Sequence, residues 1–145
     1  MKYKGIVLVL IAISVVFLAF RILSIPDKPP MPKVTYQNEP IEVLQGSYSW
    51  RTLFSGVEAD SPIPPELVEK IPPTNVGPQS NIKVTFDYKP NNIDVFLWND
   101  AVPQKYNIDH NRVIMPKNKG IYVFEIRAEW IQGDSIYAFK IEVNE

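Results

Sequence analysis

Residues 5–20 contain no charged side chain, and no other segment restricts the possible folds of the chain as strongly. Arg21 interrupts the run, but residues 22–25 continue its apolar character, and the long stem of an arginine can carry its charge to the lipid headgroups. With this extension the run has 21 residues, enough for a helix that crosses a hydrocarbon core about 30 Å thick. A helix apolar on every side would need a much larger body to bury it. We therefore predict a membrane helix within residues 1–25.

Two fates of this helix are compatible with the sequence, an uncleaved anchor and a cleaved signal peptide. Lys2 and Lys4 supply a basic N-terminal region, but no small-x-small cleavage site follows the apolar run. No cysteine is present to carry a lipid anchor. The pattern favours an uncleaved signal anchor. A short basic tail resists translocation, so we expect a single-pass protein of the cell membrane with its C-terminal domain outside the cytoplasm.

Charge and cysteine content limit the possible partners of the chain after residue 25. Twelve of the 15 basic residues and all 16 acidic residues follow position 25, which gives that part a net charge of −4. A negative domain is a poor ligand for nucleic acid or for anionic lipid. The absence of cysteine excludes disulfides, thiolate metal sites and cysteine nucleophiles. The predicted partners are the membrane, through the N-terminal helix, and another membrane or envelope protein, with no nucleic acid and no cofactor.

A proline-rich segment separates the helix from the domain. Residues 26–33 contain four prolines, a composition that favours an extended, semi-rigid backbone. We interpret these residues as a stalk that lifts the domain off the membrane. The domain itself is expected to occupy residues 34–145.

Alternation of apolar and polar residues dominates the domain and predicts strands. The clearest segments are residues 80–88, 92–100, 111–116, 120–130 and 134–143. The sequence "IQGD" between the last two indicates a hairpin turn. Seven or eight short strands with almost no helix predict an all-β fold, an immunoglobulin-like or fibronectin-like β-sandwich preceded by one transmembrane helix.

The segment "IEVLQGSYSWRT" precedes the least regular part of the domain. Ile41 and Val43 fit one strand, Gly46 permits a bulge, and Trp50 is expected to enter the core. Six prolines follow between positions 53 and 80, where Pro65 can start one helical turn. Because long irregular segments often carry binding surfaces, we predict an interaction surface in residues 53–79. Its candidate residues are Leu53, Phe54, Glu58, Asp60, Pro64, Pro65 and Glu66.

Motifs for catalysis or metal binding are weak in this sequence. His110, the only histidine, lies between polar residues typical of a solvated turn. Asn107, Asp109 and Asn111 alternate as in a calcium loop, but the required glycine and glutamate are missing. The S-x-x-K match at residues 80–83 opens a strand, which points its serine and lysine to opposite faces. No spacing brings two carboxylates together for hydrolysis. We predict no catalytic, cofactor-binding or metal-binding residue.

Large aromatic side chains leave two interpretations open. Trp50, Trp98 and Trp130 fit the core between two sheets, where a sandwich without a disulfide needs bulk. Exposed on one surface, the same rings could stack on cell-wall sugars.

The segments "GSYSWRT", "EADSPIPPELV" and "IKVTFDYKPNNIDVFLW", followed by the C-terminal hairpin, carry a family resemblance. The residues concerned are Gly46, Tyr48, Trp50, Asp60, Pro65, Glu66, Leu67, Pro90 and Trp130. From residue 34 onward the chain resembles a small extracytoplasmic domain of anchored proteins and lipoproteins of Gram-positive bacteria. This domain also resembles the outer domain of some BlaR1-type antirepressor proteins. The resemblance implies cysteines in relatives at Ser49 and near Glu58, where this chain has none.

The resemblance implies a location and a fold but no activity. We therefore expect a non-enzymatic module for protein interaction or sensing at the cell envelope. The alternative is a carbohydrate-binding module of the cell wall that uses exposed aromatic rings. An enzyme of unrecognised type is the third hypothesis.

Overall fold

A computed structural model describes residues 2–144, and its first element is helix α1, Lys2–Leu23. The side chains of Lys2 and of residues 21–23 are not described, so the roles predicted for Lys2 and Arg21 lie outside the described residues. The 18-residue window Tyr3–Phe20 is 0% buried and is long and apolar enough to span a membrane. A signal sequence has the same length and composition. A core helix of a soluble domain would be mostly buried, and α1 is not buried against the described domain.

Strands make up most of the rest of the described chain. They are β1 (Lys33–Tyr36), β2 (Glu39–Pro40), β3 (Leu44–Arg51), β4 (Gly56–Ala59), β5 (Thr74–Val76), β6 (Asn81–Thr85), β7 (Asn92–Asn99), β8 (Val102–Tyr106), β9 (Ile108–Asp109), β10 (Arg112–Ile114), β11 (Gly120–Trp130) and β12 (Gly133–Val143). A single helical turn, α2 (Pro64–Leu67), lies between β4 and β5, where the sequence predicted one.

Two sheets with antiparallel ladders contain these strands. The first sheet has the order β2-β1-β6-β10-β9, and the second has the order β4-β3-β12-β11-β7-β8. The short strand β5 pairs in parallel with the end of β12. Buried side chains from both sheets form one core, including Val84 and Val113 from the first sheet and Phe124 and Phe139 from the second. The prediction of a β domain behind one apolar helix is confirmed.

The five alternating segments all form strands at the predicted places. In β11 the side chains of Phe124, Ile126, Ala128 and Trp130 are buried, as their spacing of two predicts. The hairpin of β11 and β12 is also confirmed, with continuous pairing from Gly120↔Val143 to Trp130↔Gly133. The structure has twelve strands where seven or eight were predicted, because short strands carry little periodicity; those not predicted are β1, β2, β4, β5, β8 and β9. β8 also contains Pro103, which removes a backbone donor and hides the strand pattern.

The structure differs from the predicted strand at Ile41 and Val43. Residues 41–43 belong to no strand, and β3 begins at Leu44. Ile41 still enters the core because its backbone N–H donates to the carbonyl oxygen of Val34 at 2.8 Å. The predicted bulge is present, since the pairing of β3 with β12 shifts register beside Gly46. Local apolar spacing therefore predicted burial here but not the backbone conformation.

The proline-rich segment lies against the domain. The indole N–H of Trp50 donates to the carbonyl oxygen of Pro26 at 2.8 Å, and the hydroxyl of Tyr137 donates to that of Pro30 at 2.6 Å. Pro29 and Pro32 are buried. Residues 26–33 form no helix or strand before Lys33, but these contacts hold them on the domain, so they do not act as a free spacer.

Tyr137 should make the stability of the domain depend on pH. Burial raises the pKa of Tyr137 from the ordinary value of 10 to about 12. The stabilisation by the neutral phenol is therefore complete below pH 10 and is lost as the pH rises from 10 through 12. At pH 8 the Tyr137→Phe variant should lose about 1 kcal/mol, because its hydrogen bond to Pro30 is missing.

Thermal unfolding of the wild-type chain and of Tyr137→Phe, measured from pH 8 to pH 12, tests this expectation. The difference in melting temperature should shrink above pH 10, because only the wild-type chain loses the phenol. If the difference in melting temperature stays constant over the whole pH range, groups other than Tyr137 cause the alkaline destabilisation. Tyr106, whose pKa burial also raises, is present in both proteins.

Candidate functional site

An insertion of residues 37–80 separates two strands that are neighbours in the first sheet. β1 and β6 pair directly, with Val34 opposite Val84, although this long segment lies between them in the chain. The insertion adds β3 and β4 to the edge of the second sheet and returns through α2 and β5. The insertion therefore extends the second sheet, although the strands before and after it in the chain, β1 and β6, belong to the first sheet.

Part of the insertion packs on the outer face of the second sheet. The backbone N–H of Ser61 donates to Oγ of Ser47 at 3.0 Å, and Nζ of Lys140 donates to the carbonyl oxygen of Glu69 at 2.9 Å. Pro64 and Val68 are buried beneath this segment. Residues 61–69 of the insertion thus form a fixed layer over β3, β11 and β12.

The seven predicted surface residues fall into two groups. Leu53 and Phe54 are exposed at the turn between β3 and β4. This turn is closed by Oγ1 of Thr52, which accepts hydrogen bonds from the backbone N–H groups of Phe54 and Ser55. The remaining residues lie farther along: Glu58, Asp60 and Glu66 are exposed, Pro65 is half-buried and Pro64 is buried. Pro64 therefore supports the surface from below and cannot contact a partner.

Of the four strands that end the two strand orders in the described part of the chain, β4 alone has more than two residues and neither proline nor lysine. Natural edge strands are commonly protected by proline, lysine or short length. β2 ends in Pro40, β8 contains Pro103 and Lys105, and β9 has two residues. β4 has four residues without proline or lysine and pairs on one side only, with β3. Glu58 and the following Asp60 place two exposed carboxylates along this edge.

A buried carboxylate lies on the outer face of the second sheet. Glu125 is 1% exposed and accepts a hydrogen bond from the indole N–H of Trp98 at 2.6 Å. It also pairs with Arg127, whose guanidinium lies 4.1 Å from the ring centre of Phe96. The alternating pattern of β11 placed Glu125 on this face but gave no sign that it is buried. Because both carboxylate oxygens are occupied, the cluster fixes side chains in place.

Asp94 extends this face toward the edge strand β8. Its carboxylate lies 2.8 Å from Nζ of Lys105, and this interaction is the main cause that lowers the pKa of Asp94. Asn92 donates a further hydrogen bond at 3.2 Å. The group therefore stays ionised and serves as a charged surface contact.

Two of the three tryptophans cannot stack on a sugar. Trp50 and Trp130 are buried and meet edge to face with ring centres 5.3 Å apart. Trp98 is half-buried and donates its indole N–H to Glu125. The core interpretation thus holds for Trp50 and Trp130, and the sugar platform loses both of them.

His110 lies in the predicted turn, between β9 and β10. Both His110 and Asn111 have positive φ, 46° and 63°, as a tight two-residue hairpin requires. His110 is exposed, and its Nδ1 lies 2.7 Å from a carboxylate oxygen of Asp109. A shallow cleft beside it includes Lys105, Tyr106 and Arg112. Within residues 2–144 no three histidine or acidic side chains come together as a possible metal site.

Comparison of the chain with protein-family models, with characterised proteins and with solved structures gives no match. The arguments for its function therefore rest on its own geometry.

Proposed function

We propose that this chain is a membrane-anchored module with an immunoglobulin-like β-sandwich outside the cytoplasm, and that it binds another membrane or envelope protein. The observation that carries the proposal is the insertion, residues 37–80, with its open edge strand β4. The module holds a partner in place and performs no reaction itself.

Strand order supports the immunoglobulin-like class. Without the insertion, the first sheet reads β1-β6-β10-β9, which corresponds to the order A-B-E-D of such domains. The second sheet then reads β12-β11-β7-β8, corresponding to G-F-C-C′. The same class was expected from the resemblance to small extracytoplasmic domains of Gram-positive bacteria, and we propose that relationship on the residues already named.

The insertion is the part of the domain that this strand order does not require. It buries Trp50 and Val68 and is therefore well fixed, yet it presents an unpaired sheet edge. An extended peptide can add to such an edge through backbone hydrogen bonds. Exposed Glu58, Asp60 and Glu66 would favour a partner segment with basic side chains.

The membrane assignment is supported by α1, whose exposed apolar side chains suit a lipid environment. We place the domain outside the cytoplasm because of the short basic N-terminal tail. Protease treatment of intact protoplasts tests this orientation. A domain that is degraded only after lysis would overturn it.

Charge reversal at the edge strand tests the partner surface. The double variant Glu58→Lys/Asp60→Lys should reduce recovery of a crosslinked partner from membranes by about tenfold, because it places like charges against a basic segment. The matched control is Glu39→Lys/Glu42→Lys, which makes the same change of charge at exposed sites outside β4. Crosslinking of the full chain in its native membranes, followed by mass spectrometry, measures the recovery.

Equal loss in both double variants would show a general charge effect and would contradict binding at β4. A wild-type chain that yields no reproducible partner would contradict the interaction role itself. Both variants change exposed side chains, so tryptophan fluorescence should confirm an unchanged fold before the comparison is made.

A further inference from the structure

One end of the domain lies close to the end of α1. The helix ends at Leu23, and the carbonyl oxygen of Pro26 already accepts the hydrogen bond from Trp50. Three residues span at most about 11 Å even when fully extended. If α1 crosses the membrane as proposed above, the end of the domain that contains Trp50 must therefore lie within about this distance of the helix end.

Two turns project from this same end. Trp50 pairs with Gly133, so the turn of residues 52–55 after β3 and the turn of residues 131–132 before β12 lie beyond that pair. The backbone N–H of Arg51 donates to the carbonyl oxygen of Gln132 at 2.8 Å. The two turns are thus side by side.

The tips of these turns carry unusually exposed apolar side chains. Phe54 is 90% exposed, Ile131 88% and Leu53 71%, the three highest values among large apolar residues outside α1 in the described chain. The next highest, Ile121, is 61% exposed. Single exposed apolar residues are normal on a protein surface, but three at adjacent tips indicate a contact that covers them.

The charges around the two turns do not favour anionic lipid. Three exposed basic residues lie there against four exposed acidic ones: Lys28, Arg51 and Lys89 against Asp27, Glu58, Glu129 and Asp134. Lys33 and Asp87 neutralise each other in an ion pair of 2.6 Å. Attraction to anionic headgroups therefore contributes little, and apolar contact must supply any affinity of this end for lipid.

We propose that this end of the domain is a membrane seat, in which Leu53, Phe54 and Ile131 insert into the bilayer that α1 crosses. Rings and aliphatic side chains at turn tips suit the boundary between headgroups and acyl chains. The inference rests on the proposed anchor. The turn of residues 52–55 in the insertion then contacts lipid, while the edge strand β4 remains free for a protein partner.

Depth measurements on the full chain in phosphatidylcholine vesicles test the seat. Because the chain has no cysteine, Phe54→Cys and Ile131→Cys each provide one site for a nitroxide label. Val102→Cys is the matched control, because Val102 is an exposed apolar residue far from the turns. It pairs with Asn99 at one end of β7, whereas Asn92, at the other end of β7, pairs with Glu129 near the turns. Labels at 54 and 131 should be severalfold less accessible to a water-soluble nickel chelate than the label at 102. This protection should persist in 1 M salt.

A label at Leu10→Cys, on the exposed surface of α1, separates the two proposals. A protected label at 10 combined with labels at 54 and 131 as accessible as that at 102 would overturn the seat and leave the anchor intact. An accessible label at 10 would overturn both. Strong spin–spin broadening between labels at 54 would show that a second copy covers the tips, and that result would also overturn the seat.

Discussion

The Gly133→Ala variant is expected to lose about 3 kcal/mol or more of its free energy of unfolding. Gly133 has a φ of +151°, and a Cβ atom there would overlap the carbonyl oxygen of Ser49 and lie 2.8 Å from its carbonyl carbon. The obstacle is backbone, so β3 would have to move away from β12. This movement would disturb Trp50, which pairs with Gly133 and lies in the core. Urea unfolding followed by tryptophan fluorescence measures the loss.

Gly120→Ala is the matched control for this prediction. Gly120 has a similar φ of +154°, but the nearest atoms to an added Cβ belong to the side chain of Tyr122, at 3.6 Å. Only the unfavourable backbone conformation should matter there, at a cost of about 1 kcal/mol. Equal losses in the two variants would show that contact with β3 is not the cause.

The Trp50→Ala variant should be destabilised by about 3–5 kcal/mol. Trp50 is 1% exposed and meets the ring of Trp130 edge to face. Its removal would leave a cavity between the sheets and would release the carbonyl oxygen of Pro26. The variant should therefore lose both core packing and one of the contacts that hold the proline-rich segment. Urea unfolding with fluorescence of the remaining tryptophans measures the effect.

Trp50→Phe separates packing from the hydrogen bond. A phenyl ring keeps an aromatic contact with Trp130 but cannot donate to Pro26, so we expect a loss of about 1–2 kcal/mol. A loss as large as that of Trp50→Ala would mean that the hydrogen bond outweighs the packing. No loss in either variant would contradict the placement of Trp50 in the core.

Local periodicity explains why much of the fold was predictable. β6, β11 and β12 bury alternate side chains, and β7 places Ile93, Val95 and Leu97 against the core. This period of two is visible in the sequence without knowledge of the partner strand. β8 was missed because Pro103 interrupts the pattern. Residues 41–43 were assigned to a strand because two apolar residues alternate there, although a backbone bond to Val34 holds them in another conformation.

The candidate site was predictable only in part. Leu53, Phe54, Glu58 and Asp60 were chosen because they belong to the long irregular segment 53–79, and the structure leaves all four exposed. The burial of Pro64 and of Glu125 had no local signal, because it depends on segments that lie far away in the chain. Ile131, which the proposed membrane seat requires, looked like an ordinary turn residue. Its position next to the Leu53 turn follows from the pairing of β3 with β12.

The sequence by itself determined the apolar helix, the β character of the domain and the C-terminal hairpin. Each depends on residue types within one short segment, where spacing alone decides which side chains can be buried together. Only the tertiary structure decided that the proline-rich segment lies on the domain. Its hydrogen bonds join Trp50 to Pro26, 24 positions apart, and Tyr137 to Pro30, 107 positions apart. Such pairings depend on which strands become neighbours. The order of the strands is set by packing contacts between segments that are distant in the chain.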